Sequence, residues 1–169
     1  MERSVIMVIH VFIAAACLPL YGQQPLTVGE VTAKPGHTES GYIRVPAGED
    51  GPATVMPVTV VNGKKPGPVL GIVAAVHGYE YPPVLATYRL KKVLDPHHMS
   101  GAVIMVHIAN MPSFIKRTVY YNPYDWKNMN RVFPGKKDGT STERIAWQLT
   151  AEVIGRCDAL IDCHGGDGN

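Results

Sequence analysis

The residues His77-Gly78-Tyr79-Glu80 set an imidazole and a carboxylate three positions apart across a glycine. Both side chains can offer a lone pair to one ion, and the glycine permits a tight turn between them. A second imidazole, His164, stands in the run Ile161-Asp162-Cys163-His164-Gly165-Gly166. A strand-end His with a Glu in the next helical turn is, taken alone, commonly a surface feature favoured by the helix dipole. Two such histidines with one carboxylate instead make the ligand set of a catalytic zinc site that keeps a fourth position for water. Strand alternation puts Asp162 and His164 on one side and Cys163 on the other, so Asp162 can accept a hydrogen bond from His164 and orient it. A third element is Asn128-Met129-Asn130-Arg131-Val132-Phe133-Pro134-Gly135. Arg grips a carboxylate through two parallel hydrogen bonds, and a neighbouring Asn amide adds a donor. Beside a zinc ion, Asn130 and Arg131 become a clamp for a substrate carboxylate.

These residues need elements to hold them. His77 ends the continuous apolar run Pro68 to Val76, the pattern of a strand buried on both faces. Tyr81 to Leu94 reads as a helix, with Pro82 and Pro83 tolerable in its first turn and Asp95-Pro96 stopping it. Ala102 to Ile108 reads as a second buried strand, Asn110 to Thr140 as a long loop, and Ser141 to Arg156 as a second helix. A capping box of Thr140 and Glu143 opens that helix. Asp158 to Cys163 reads as a third buried strand, ending at His164. The succession predicts an α/β fold, a mostly parallel or mixed sheet covered by helices. Ligands in such sheets gather at strand ends. Residues 23–66 form a β-rich lead-in, with strand-like runs Gly41 to Val45 and Thr54 to Val61; Asn62-Gly63 suggests a hairpin or tight turn. His97 and His98 read as exposed, His107 as a hydrogen-bonded core histidine, and Tyr120, Tyr121 and Tyr124 as loop packing.

A net charge of +2 on 169 residues gives no field able to hold a nucleic acid. Hydrophobic residues at 46% and charged residues at 18% fit a globular α/β protein. Residues 1–22 differ: Arg3 precedes an apolar run from Val5 to Leu20 that ends in polar sequence, the pattern of a secretory signal peptide cleaved after Gly22. That run falls short of the ~20 residues a spanning helix needs, so no stable membrane anchor is expected after its removal. Ala14 stands where an acylated Cys17 would usually have a larger aliphatic residue. The expected location is periplasmic or secreted. Cys157 and Cys163 then remain, one at a helix end and one inside a strand, poor geometry for a bridge; buried free thiols are expected.

Together the three elements resemble the succinylglutamate desuccinylase/aspartoacylase family, itself similar in fold to the zinc carboxypeptidases. The resemblance covers about Pro68 to Asn169, the N-terminal part of such a catalytic domain, read here as residues 67–169. His-Gly-x-Glu matches His77 and Glu80, Asp-x-His-Gly matches His164, and Asn-Arg-x-Phe-Pro-Gly matches Asn130 through Gly135. It implies one zinc ion on His77, Glu80 and His164, a substrate carboxylate on Asn130 and Arg131, and an upstream Arg that stabilises an oxyanion. Arg117 is the Arg available for that role, with Val119 the competing register. Trp126 stands where relatives often have Gly. Relatives also continue beyond the third ligand and draw a catalytic Glu from there; Asp167 reads as a turn residue, so little turnover is expected of 169 residues alone. The implied reaction is hydrolysis of an amide or ester on a small N-acyl amino acid or related carboxylate. The rivals are an exported carboxypeptidase-like peptidase and a non-catalytic zinc-binding fragment; the oligomeric state is not legible.

Overall fold

The computed structural model describes residues 22–165, so Cys17, Asp167 and all but the last residue of the expected leader lie outside the described residues. Among the described residues, seven strands and three α-helices form: β1 (Leu26–Val28), β2 (Val31–Ala33), β3 (His37–Val45), β4 (Thr54–Asn62), β5 (Lys65–Ala74), α1 (Tyr81–Val93), β6 (Ser100–Val106), α2 (Met111–Lys116), α3 (Ser141–Glu152) and β7 (Ala159–Cys163). β1 and β2 make a small antiparallel ribbon, and the other five strands lie in the order β3-β4-β6-β5-β7. β5 pairs in parallel with β6 on one side and β7 on the other, whereas β3, β4 and β6 join antiparallel. The sheet is therefore mixed, and His77 and His164 follow strands of its parallel half.

The apolar runs fill both faces because β4, β5 and β6 lie inside the sheet. Along β5, Ile72 turns to the α1 face with Leu90, Leu94, Val61 and Met105, while Val73 turns to the α3 face with Ile104, Val106, Ile145 and Leu149. Fully burying such a side chain contributes roughly 1.5–3 kcal/mol, so this alternation holds the strand in one register. Thr140 opens α3 as expected: the Glu143 carboxylate accepts from its backbone N–H at 2.9 Å and its hydroxyl at 3.3 Å. Asp125 accepts from the Thr142 N–H at 2.8 Å, tying the long loop to the same helix end.

Three expectations change, and one of two alternatives is selected. Asn62-Gly63 makes a tight turn, with the Gly63 N–H bonded to Gly101 O, but no hairpin, because β6 separates β4 from β5. The hairpin is β3–β4, closed around the turn at 46–53. The loop after β6 holds α2, capped by the Asn110 side chain at Ser113 N. β7 is not buried: Leu160 and Ile161 are 41% and 48% exposed, since among the described residues this strand pairs only with β5 and forms the sheet edge. Cys157 and Cys163 are free, as expected, but half-buried. No helix among the described residues is long and apolar enough to cross a membrane.

His107 is a core histidine: its ring nitrogens lie 2.8 Å from the hydroxyls of Thr59 and Thr87, and Tyr88 stacks on it at 4.3 Å. Trp126 adopts φ 53° and is 71% exposed. Left-handed backbone costs a side-chain-bearing residue about 1 kcal/mol, a cost that glycine escapes. Trp126→Gly is expected to exceed Trp126→Ala in stability by about that amount. Urea unfolding of the two variants tests this, and equal stability would remove the strain argument.

Candidate metal centre

β5 and β7 run parallel with Ala74 opposite Cys163, so the residues just beyond them emerge side by side. Ala75, at φ 54°, turns the chain off the sheet. Buried Asn110 holds that turn, with its backbone N–H on Ala75 O at 3.0 Å and its side-chain amide on Val76 O at 3.3 Å. Gly78 is then needed for close approach rather than for its dihedral freedom: a Cβ there would collide with the carbonyls of Ser113 and Thr118. α2 thus packs directly against the His77–Glu80 turn.

Glu80 is the residue before α1 and does not cap it. Its Oε2 instead accepts from the His77 backbone N–H at 3.1 Å, closing the four-residue turn on itself. Its Oε1 faces His77 Nδ1 at 3.0 Å and His164 Nδ1 at 2.7 Å. The ligand-capable atoms of His77, Glu80 and His164 all lie within 4.8 Å of one another. His77 and Glu80 are buried and His164 is exposed, so the group opens to solvent on the β7 side.

The donor set fits a cation. His164 Nε2 faces Asp162 Oδ2 at 2.9 Å, the partnership expected from alternation, and the Asn130 amide nitrogen reaches the same ring atom only at 3.5 Å. The shorter contact decides: Nε2–H donates to Asp162, leaving Nδ1 with a bare lone pair in the neutral ring. That lone pair then confronts a carboxylate oxygen, an arrangement stable only with a positive charge between them. Burial presses the Glu80 pKa upward, but the neighbouring His77 side chain, the His77 backbone N–H and His164 outweigh it, and the pKa lies below the usual carboxylate value. Burial likewise disfavours charge on His164, yet Glu80 and Asp162 outweigh it and raise the pKa. The site is electrostatically set to hold positive charge.

Asn130, expected to bind a substrate carboxylate, sits beside this group. Met129–Arg131 is a short 3-10 turn pinned by Met129, which is fully buried. Asn130 approaches His164 as described, and Arg131 is exposed, its Nη1 donating to Asn130 O at 3.3 Å. Arg117 caps the C-terminus of α2 in the left-handed region, exposed, with no hydrogen bond to His77, Glu80 or His164 among the described residues. Val119 is also exposed. Two residues gain importance over their sequence reading. Tyr120 packs edge-on against His77 at 5.5 Å, and Asn128 Oδ1 lies 3.2 Å from His77 Nε2. Asn128 belonged to a recognisable motif, but nothing local announced its partner, which lies 51 residues away.

A mixed α/β sheet with two imidazoles and a carboxylate beyond its parallel strand ends defines a carboxypeptidase-like fold. The chain belongs to the succinylglutamate desuccinylase/aspartoacylase family: that family's catalytic-domain model matches residues 66–169. An N-alpha-acetyl-L-2,4-diaminobutyric acid deacetylase from Halomonas elongata is 34% identical over 133 residues, which cover 76% of this chain and 38% of the relative. An aspartoacylase family protein from Mesorhizobium loti shares 34% identity and a TM-score of 0.72, over 78% of this chain and 41% of the other. The product-bound ectoine utilization protein EutE (DoeB) from Ruegeria pomeroyi shares 29% identity and a TM-score of 0.71, over 86% and 44%. The chain thus spans less than half the length of these relatives.

Proposed function

We propose that this chain carries the metal-binding and carboxylate-recognition part of a zinc-dependent deacylase acting on a small N-acyl amino acid or related carboxylate. The observation that carries the reading is the convergence of His77 Nδ1 and His164 Nδ1 on one oxygen of Glu80. Those three atoms would hold one zinc ion. Zinc bound there supplies Lewis-acid polarisation of a carbonyl and lowers the pKa of water to about 7. Asn130 and Arg131, at the open side next to His164, bind and orient the substrate carboxylate. Arg117, the residue that ends α2, would stabilise the developing oxyanion. Glu80 is committed to the metal and Asp162 to orienting His164, so proton abstraction from water falls to another group. The leader over residues 1–22 directs the protein out of the cytoplasm.

Metal analysis of purified protein should show near one equivalent of zinc. Deacylation of a panel of N-acyl amino acids and short peptides separates a deacylase from a peptidase. On whichever substrate turns over, Arg131→Ala is expected to raise KM, with a smaller fall in kcat where positioning is disturbed. Kinetics identical to the parent would remove the clamp from the mechanism.

A further inference from the structure

One oxygen joins the metal ligands to the clamp. Asn128 Oδ1 lies 2.9 Å from the backbone nitrogen of Asn130 and 3.2 Å from His77 Nε2. A backbone N–H only donates, so the Asn130 contact identifies this atom as the amide oxygen rather than the amide nitrogen. The same oxygen has a second lone pair, and His77 meets it as an Nε2–H donor. His77 is thereby held in the tautomer whose Nδ1 is bare toward Glu80, the form a metal ligand requires. The two imidazoles are oriented differently. A carboxylate, Asp162, faces His164 Nε2 at 2.9 Å, whereas a neutral amide serves His77, which is buried beside buried Glu80. A second carboxylate packed there would add a negative charge in a poorly solvated pocket.

Resting on the metal reading above, we propose that Asn128 is a positioning residue coupling the two sites: it fixes the His77 ring and, through the same oxygen, the turn that carries Asn130 and Arg131. Rotation of His77, on metal release or on a tautomer change, withdraws a donor from Asn128 and loosens the start of the Met129–Arg131 turn. Zinc binding and clamp geometry therefore report on each other.

The test uses the full chain and Zn(II) as probe. Zinc affinity is measured by chelator competition in the parent, Asn128→Ala and Asn128→Asp, while the Asn130 amide is followed by ¹⁵N NMR. Asn128→Ala should bind zinc about 10- to 100-fold more weakly, the usual cost of losing a partner behind a metal ligand. Asn128→Asp, which can accept both hydrogen bonds, should recover most of the affinity. The Asn130 amide resonance should move on zinc addition in the parent and stay in place in Asn128→Ala. Two results would overturn the proposal alone: parent-like zinc affinity in Asn128→Ala, or an Asn128→Asp variant as weak as the alanine. A parent that takes up no zinc would overturn the metal reading and this one together.

Discussion

Zinc at about a thousand times its dissociation constant is expected to stabilise the folded chain by about 4 kcal/mol, and His164→Ala should remove most of that gain. For a chain of this size, that is a rise of about 8–16 °C in the unfolding midpoint. The two parts of the expectation have separate structural grounds. The gain comes from a ligand group present only in the folded state, since His164 lies 84 residues from Glu80 along the chain. The loss is clean because His164 is exposed, so its removal costs little packing. Glu80 keeps its hydrogen bond from the His77 backbone. The zinc-free midpoint of His164→Ala should therefore stay near the parent's while the zinc-dependent part disappears. His77→Ala should lose the zinc effect too, but His77 is buried and packs on Tyr120, so its zinc-free midpoint should also fall. A zinc-induced rise that survives in both variants would place the metal elsewhere.

The convergence of His77 and His164 was legible for a physical reason. His77 and His164 each follow an apolar run that must be a strand, and a polar group there can only lie at the strand's end. Parallel pairing of β5 and β7 then brings the two ends together. What stayed hidden depends on neighbours distant in sequence. Asn128 reads as a loop residue until His77 arrives beside it. The six residues of α2, Met111–Lys116, are too few to show a helical period, and their Met-Pro start reads as loop. β7 looks like a buried strand by composition, yet burial depends on what pairs with its outer edge, which its own residues do not encode. From its neighbours Gly78 reads as a tight-turn residue; its reason is the backbone of α2 lying against it.

His107 makes the stability of this protein sensitive to mild acid. Its ring is 2% exposed, bonded to two threonine hydroxyls and stacked on Tyr88. Burial, with a smaller contribution from the Lys91 charge, lowers its pKa from 6.5 to about 4. Below pH 6.5 the unfolded chain takes up a proton that the folded chain refuses. Stability is thus complete above that pH, falls as the pH drops toward 4, and loses nothing further from this residue below it. The full loss is about 3 kcal/mol at roughly 1.4 kcal/mol per pKa unit, an order-of-magnitude figure. Asp50, Glu80 and Glu143, whose pKa values are lowered, add their own losses only at more acid pH, where carboxylates protonate. His164 works in the opposite sense: with its folded pKa raised, it contributes stability at low pH that is lost as the pH rises. Comparison with His107→Asn, which keeps polar contacts but does not titrate, cancels both of these contributions. Urea unfolding in chelator-treated buffer should show the parent losing about 2 kcal/mol more than the variant between neutral pH and pH 5. Parallel pH profiles for the two proteins would mean that His107 carries no buried-neutral penalty.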